Sequence, residues 1–212
     1  MLWDLSTIAD HLAELISRTE SAIRLEQAVY GLDSKDEKAI QSILADGLAQ
    51  WHEVAREVHY PSTHGTKLAA RQRCDLVLSP KGRPLVIDSR PLSLFDPPNP
   101  CPPQEGLWLE VKIAYQFRKP EVRHGGYGAQ WREAVVNDLK KMEIEPKIRE
   151  AALVLVVFNE SESILQKDLE LFELVLIQKE VLAGFRHVRS VPIVERMGHR
   201  LCSVVVWPTV QR

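Results

Sequence analysis

In the first fifty residues apolar side chains recur at three- and four-residue steps. Leu5, Ile8, Leu12, Leu15, Ile16, Ala22 and Ile23 carry this spacing through residues 4 to 29, which predicts one or two amphipathic helices ended by Gly31. Ile40, Ile43, Leu44, Gly47, Leu48 and Trp51 repeat the pattern. Ser34 and Glu37 before them have the spacing of a capping box, so a second helix is expected to run to about residue 52. Beyond it the composition turns to β-formers. Val54 to Pro61 and Arg73 to Ser79 predict short strands, Pro80-Lys81-Gly82 a turn, and Pro84 to Asp88 a returning hairpin partner. Six prolines between residues 91 and 103 forbid helix and central strand and predict an exposed loop. Leu107 to Phe117 is the clearest strand, followed by a charged loop containing glycines. Tyr127 to Met142 has helical spacing in Trp131, Val135 and Leu139, and the unbroken apolar run Ala151 to Phe158 predicts a buried central strand. Glu162 to Phe185 is expected as a long helix, with Val188 to Val194 and Leu201 to Trp207 as two closing strands around Met197-Gly198.

Helices and strands in this order predict an α/β protein, and 212 residues at 45% apolar and 26% charged suit one domain with one sizeable core. No apolar run approaches the roughly eighteen residues of a membrane span, and Met1-Leu2-Trp3-Asp4 lacks the pattern of a signal peptide. A cytoplasmic protein without a membrane partner is expected. Cys74, Cys101 and Cys202 are scattered and lack zinc-type spacing, which predicts three reduced thiols and no structural metal. A net charge of −2 argues against coating of nucleic acid by bulk electrostatics, but residues 58 to 90 and 112 to 149 each carry +4, so a polyanion could be held locally.

Chemistry concentrates in the strand from Leu107. Alternation sends Leu107, Leu109, Val111 and Ile113 one way and Trp108, Glu110, Lys112 and Ala114 the other, so Glu110 and Lys112 share a face. A carboxylate two residues from an ammonium on a rigid strand can hold a hard divalent cation and set a positive charge beside a phosphate; the same spacing also describes the outer row of an amphipathic strand. Asp75, in the strand from Arg73, offers a second carboxylate, with Asp88 as its rival.

Cys74-Asp75-Leu76-Val77-Leu78 followed by Leu109-Glu110-Val111-Lys112 resembles the PD-(D/E)XK nuclease superfamily, also called restriction-endonuclease-like, and the element order from residue 34 to 158 agrees with it. The resemblance implies a restriction-endonuclease-like core with a central mixed β-sheet flanked by helices. To this are added a helical extension over residues 1–32 and, over residues 159–212, a C-terminal helix with two strands. It implies phosphodiester hydrolysis, with DNA the expected substrate. Asp75 and Glu110 would bind Mg²⁺, or Mn²⁺ in its place, the Val111 carbonyl could join them, and Lys112 would orient water and stabilise charge. Members also carry a helix acid, here Glu37, with Glu53 and Glu57 as substitutes and capping as the other reading of Glu37. One departure is the 34 residues between Asp75 and Glu110, where a tight hairpin would be simpler.

Gln116, Arg118, Lys119, Arg123, Lys140 and Lys141 are the candidate nucleic-acid contacts, and Gly125-Gly126-Tyr127-Gly128 before a helix could grip a phosphate or serve only as a loop. Trp131 is expected in the core, and no histidine is assigned catalysis. Without a recognisable DNA-reading module, target choice would fall to a homodimer or a partner subunit. The competing expectation is a catalytically silent scaffold or binding subunit of the same fold.

Overall fold

A computed structural model describes residues 3–63, 72–87, 98–119 and 122–210. Its elements are α1 (Leu5–Leu25), α2 (Glu37–Leu48), β1 (His52–His59), β2 (Arg73–Pro80), β3 (Leu107–Tyr115), β4 (Phe117–Lys119), β5 (Val122–Arg123), α3 (Tyr127–Glu143), β6 (Glu150–Asn159), α4 (Glu162–Gln178), β7 (His187–Pro192) and β8 (Leu201–Pro208). Six strands form one sheet in the order β1-β2-β3-β6-β8-β7, and β4 and β5 form a small separate hairpin. Only β3 and β6 run parallel, because α3 carries the chain between them; every other pair in the sheet is antiparallel. The protein is a mixed α/β structure whose sheet is mostly antiparallel and flanked by helices.

The apolar run in β6 follows from burial on both faces. Ala152, Val154, Val156 and Phe158 pack with Leu12, Ile16, Ile40, Leu44 and Leu48 from α1 and α2. Ala151, Leu153, Leu155 and Val157 pack with Val135, Leu139, Leu169 and Phe172 from α3 and α4. Each large side chain fully buried in this way stabilises the fold by about 1.5–3 kcal/mol before entropy is counted. Cys74, Cys101 and Cys202 are free and buried in it. Among the described residues no helix is long and apolar enough to cross a membrane.

Several expectations are corrected. The cap of α2 is Asp36, whose carboxylate accepts from the Ala39 N–H at 2.8 Å, while the Ser34 hydroxyl donates to the Gly31 carbonyl. The Ser34–Glu37 capping box therefore does not form, because Ser34 is the last residue of a short 3₁₀ turn over Leu32–Ser34 and Asp36 takes the cap position next to the helix. Helix α2 stops at Leu48 rather than near residue 52, since β1 begins at His52 to pair with β2. The described part of the expected hairpin partner, Pro84 to Ile87, does not return along β2, whose outer edge β1 occupies; Leu85 bridges Cys101 in parallel instead. Asp88 and residues 91–97 of the proline-rich segment lie outside the described residues. Helix α4 ends at Gln178, followed by Glu180 in the left-handed region at φ 55°, rather than continuing to Phe185.

Candidate active site

β2 and β3 are neighbours despite the 34 intervening residues, paired as Leu76 with Leu109, Val77 with Trp108 and Leu78 with Leu107. The ladder stops there. One step further, where Asp75 and Glu110 would face each other, the strands part, and the Asp75 Oδ2 accepts the Val111 N–H at 2.7 Å. On the other flank of Asp75, Glu57 adopts φ 51° and drops out of the β1–β2 register. A carboxylate has taken over a backbone partner's role at the point where the sheet opens, and this splay brings the second carboxylate to Glu110.

Glu110 is 2% exposed. Its Oε1 accepts from the Tyr60 hydroxyl at 2.7 Å and pairs with the Lys141 ammonium at 2.6 Å. Lys141 also lies 3.1 Å from Asp138, and Asp138 in turn lies 3.2 Å from Lys112. Lys112 reaches Glu37 at 3.7 Å and the Val111 carbonyl at 3.4 Å. Two ammonium groups are thus threaded among Glu37, Asp138 and Glu110, with Asp75 beside them. Freed from capping by Asp36, Glu37 leans from the first turn of α2 over the end of β3.

The local field is acidic. Burial, then the charge of Asp75, pushes the Glu110 carboxyl up to about 7, with Asp138 adding to the rise and Lys141 opposing it. Glu37 is raised as well, chiefly by burial and then by Asp75 and Asp138 against the pull of Lys112. Burial draws the Lys112 pKa down, but Asp138, Glu37 and Asp75 more than offset it, so Lys112 titrates above an ordinary lysine. Lys141 behaves in the same way, with Glu110 and Asp138 outweighing burial. Both lysines remain ammonium ions at neutral pH. Lys112 in this state suits charge stabilisation and not proton abstraction.

Asp75, Glu110 and the Val111 carbonyl are the oxygen donors that could hold a hard divalent cation here, although Asp75 already accepts the Val111 N–H and Glu110 is paired with Tyr60 and Lys141. Among the described residues no group of three or more His, Cys, Asp or Glu side chains could hold an ion by itself. Such an ion would complete its shell with water and substrate oxygens.

Other sequence candidates separate. Arg118 is exposed and lines a cavity next to Lys112. Arg123 is exposed, pairs with Glu160 at 3.3 Å and lies 6.0 Å over the Phe117 ring. Lys140 lines a groove on another side of α3 beside Lys141. Lys119 contributes backbone to β4, and its side chain lies outside the described residues. Gln116 is a correction: it is 6% exposed, and its amide oxygen accepts the Glu160 N–H at 2.8 Å, so it ties β3 to the start of α4 rather than facing a ligand. Lys141, expected as a nucleic-acid contact, is the ion partner of Glu110. Glu53 and Glu57 lie on β1, Glu53 accepting the Gly82 N–H and Glu57 near Arg73, whereas Glu37 lies on α2 and reaches Lys112.

Sequence reasoning missed Asp138 and Tyr60. The spacing of Tyr127, Trp131, Ala134, Asp138 and Lys141 at alternating steps of four and three could have revealed one face of α3 turned toward β3. Nothing in the sequence pointed to Tyr60. Also unassigned was His199, fully buried, with Nδ1 3.0 Å from Asp33 and Nε2 accepting the Phe117 N–H at 3.0 Å. It fastens the β7–β8 connection to the segment before α2 and to the strand leaving the site.

Fold and site together define a class: a mixed α/β protein with a charged, partly buried cleft where its central strands diverge. No protein-family model, curated protein or solved structure matches the chain.

Proposed function

We propose that the chain is a divalent-metal-dependent nuclease of the PD-(D/E)XK, restriction-endonuclease-like class, with DNA as its substrate. The observation that carries this reading is the meeting of Asp75 with Glu110, Lys112 and Glu37 at the splayed end of β2 and β3, across a long insertion. The order α2, β1, β2, β3, α3, β6 supports it.

Asp75, Glu110 and the Val111 carbonyl would hold Mg²⁺ or Mn²⁺, which when bound supplies Lewis-acid polarisation of the phosphate and a more acidic water. Lys112, kept protonated by its carboxylate neighbours, sets a fixed positive charge where negative charge grows on the phosphate oxygens, a role that needs no reorganisation during reaction. Glu37 and Asp138 hold the Lys112 ammonium in place. Tyr60 and Lys141 fix the Glu110 carboxylate. With no recognisable DNA-reading module in the sequence, target choice falls to a second copy or a partner subunit.

A catalytically silent binding or scaffold subunit is the second reading, favoured by the Lys141 ion pair that already occupies Glu110. Plasmid and linear DNA incubated with Mg²⁺ or Mn²⁺, with chelator controls, separate the two. Glu110→Ala and Lys112→Ala proteins that remain folded should lose about 10²–10³-fold in rate. Activity equal to wild type in both variants refutes the catalytic assignment.

A further inference from the structure

We propose that the substrate is single-stranded, with one unpaired nucleotide seated in the cavity beside Lys112; the inference rests on the nuclease reading and gives that site a substrate class. The cavity measures about 360 Å³. Its floor is the end of β3. Glu37 at the start of α2, Arg118 and His124 from the β4–β5 hairpin region, and Tyr127 and Trp131 from the first turns of α3 wall it in. This volume lies at the small-molecule end of the range for binding cavities. A single nucleotide is an occupant of that size class.

The chemistry of the walls matches that occupant. Lys112 stands at the end joined to the acidic cluster, where the scissile phosphate belongs. Arg118 is exposed at the rim and His124 is half-buried. Helix α3 has Gly126 at its N-cap, with no side-chain cap and no acidic residue in its first turn, whereas α1, α2 and α4 are capped by Asp4, Asp36 and Ser161. The Tyr127 N–H donates to the His124 carbonyl at 2.9 Å, and the N–H groups that follow it at the helix start favour an anion. The half-buried Tyr127 ring gives a base an aromatic surface, and such stacking tolerates any sequence. A duplex could reach this cavity only by unstacking and extruding a nucleotide, an energy cost that a single strand does not bear.

Two measurements on the intact protein test this. Thymidine 5′-monophosphate, titrated by calorimetry with and without Mg²⁺, should bind saturably, and Arg118→Ala should weaken binding by about tenfold through loss of a charge-assisted contact. One labelled oligonucleotide, presented alone and in a blunt duplex, should be cut at least about tenfold faster as the single strand. Equal cutting of both forms overturns the inference and leaves the nuclease reading standing. Absence of divalent-dependent cutting in every form overturns the nuclease reading. The cavity is then judged by the nucleotide alone: saturable binding weakened in Arg118→Ala supports it, and no binding overturns it.

Discussion

Glu110→Gln isolates the energetic consequence of burying an acid among acids. In the metal-free protein the Glu110 carboxyl titrates near 7, against an ordinary 4.5, because burial and Asp75 disfavour its charge. Between those values the folded chain keeps a proton that the unfolded chain has released. Stability from this group is therefore complete below about pH 4.5 and declines as pH rises through 7. At about 1.4 kcal/mol per pH unit the decline totals about 3 kcal/mol, of which roughly 2.5 kcal/mol falls between pH 5 and pH 8. Glutamine keeps an oxygen for the Tyr60 hydroxyl but cannot ionise. Urea unfolding of both proteins in chelator at pH 5, 6, 7 and 8 measures the difference directly. Wild type should lose about 2–3 kcal/mol relative to Glu110→Gln over that range, equivalent to roughly 5–10 °C in Tm for a chain of this size. Parallel stability curves for the two proteins would refute the argument.

Lys141→Met removes the ammonium 2.6 Å from Glu110. Mn²⁺ binding followed by calorimetry at pH 8 should tighten by about tenfold, since no resident cation competes for the carboxylate; unchanged or weaker binding contradicts this. His199→Leu strips a buried Asp33 of its partner and orphans the Phe117 N–H, and chemical denaturation should show a loss of about 2–4 kcal/mol. Gly47→Ala would set a Cβ 2.1 Å from the Leu15 Cδ2 where α1 and α2 touch. Overpacking costs about 1–3 kcal/mol and the gain in helix propensity returns about 1 kcal/mol, so a net loss near 1–2 kcal/mol is expected, and a Tm at or above wild type would show that α1 can retreat.

The local elements were largely legible in the sequence. The apolar period named α1, α2, α3 and the buried run in β6, because burial of one stripe or of two faces imposes that period whatever surrounds it. Strand alternation alone placed Glu110 and Lys112 on one face. Helix ends were less legible: Asp36 outcompeted Ser34 for the cap of α2, and α4 stopped at Gln178, since capping is decided by which side chain meets an N–H in three dimensions.

Sequence by itself determined which residues are apolar in which rhythm, and so the identity of most helices and strands and the shared face of Glu110 and Lys112. Only the tertiary structure decided that β2 lies against β3 across 34 residues, and that the two part at Asp75. It also decided that α3 turns Asp138 and Lys141 into the opening and that Tyr60 and Glu37 close around it. Local patterns arise from contacts between residues a few positions apart, which spacing records. The charge network, the raised Glu110 and the cavity arise from contacts between residues tens of positions apart, and these exist only once the sheet has been assembled.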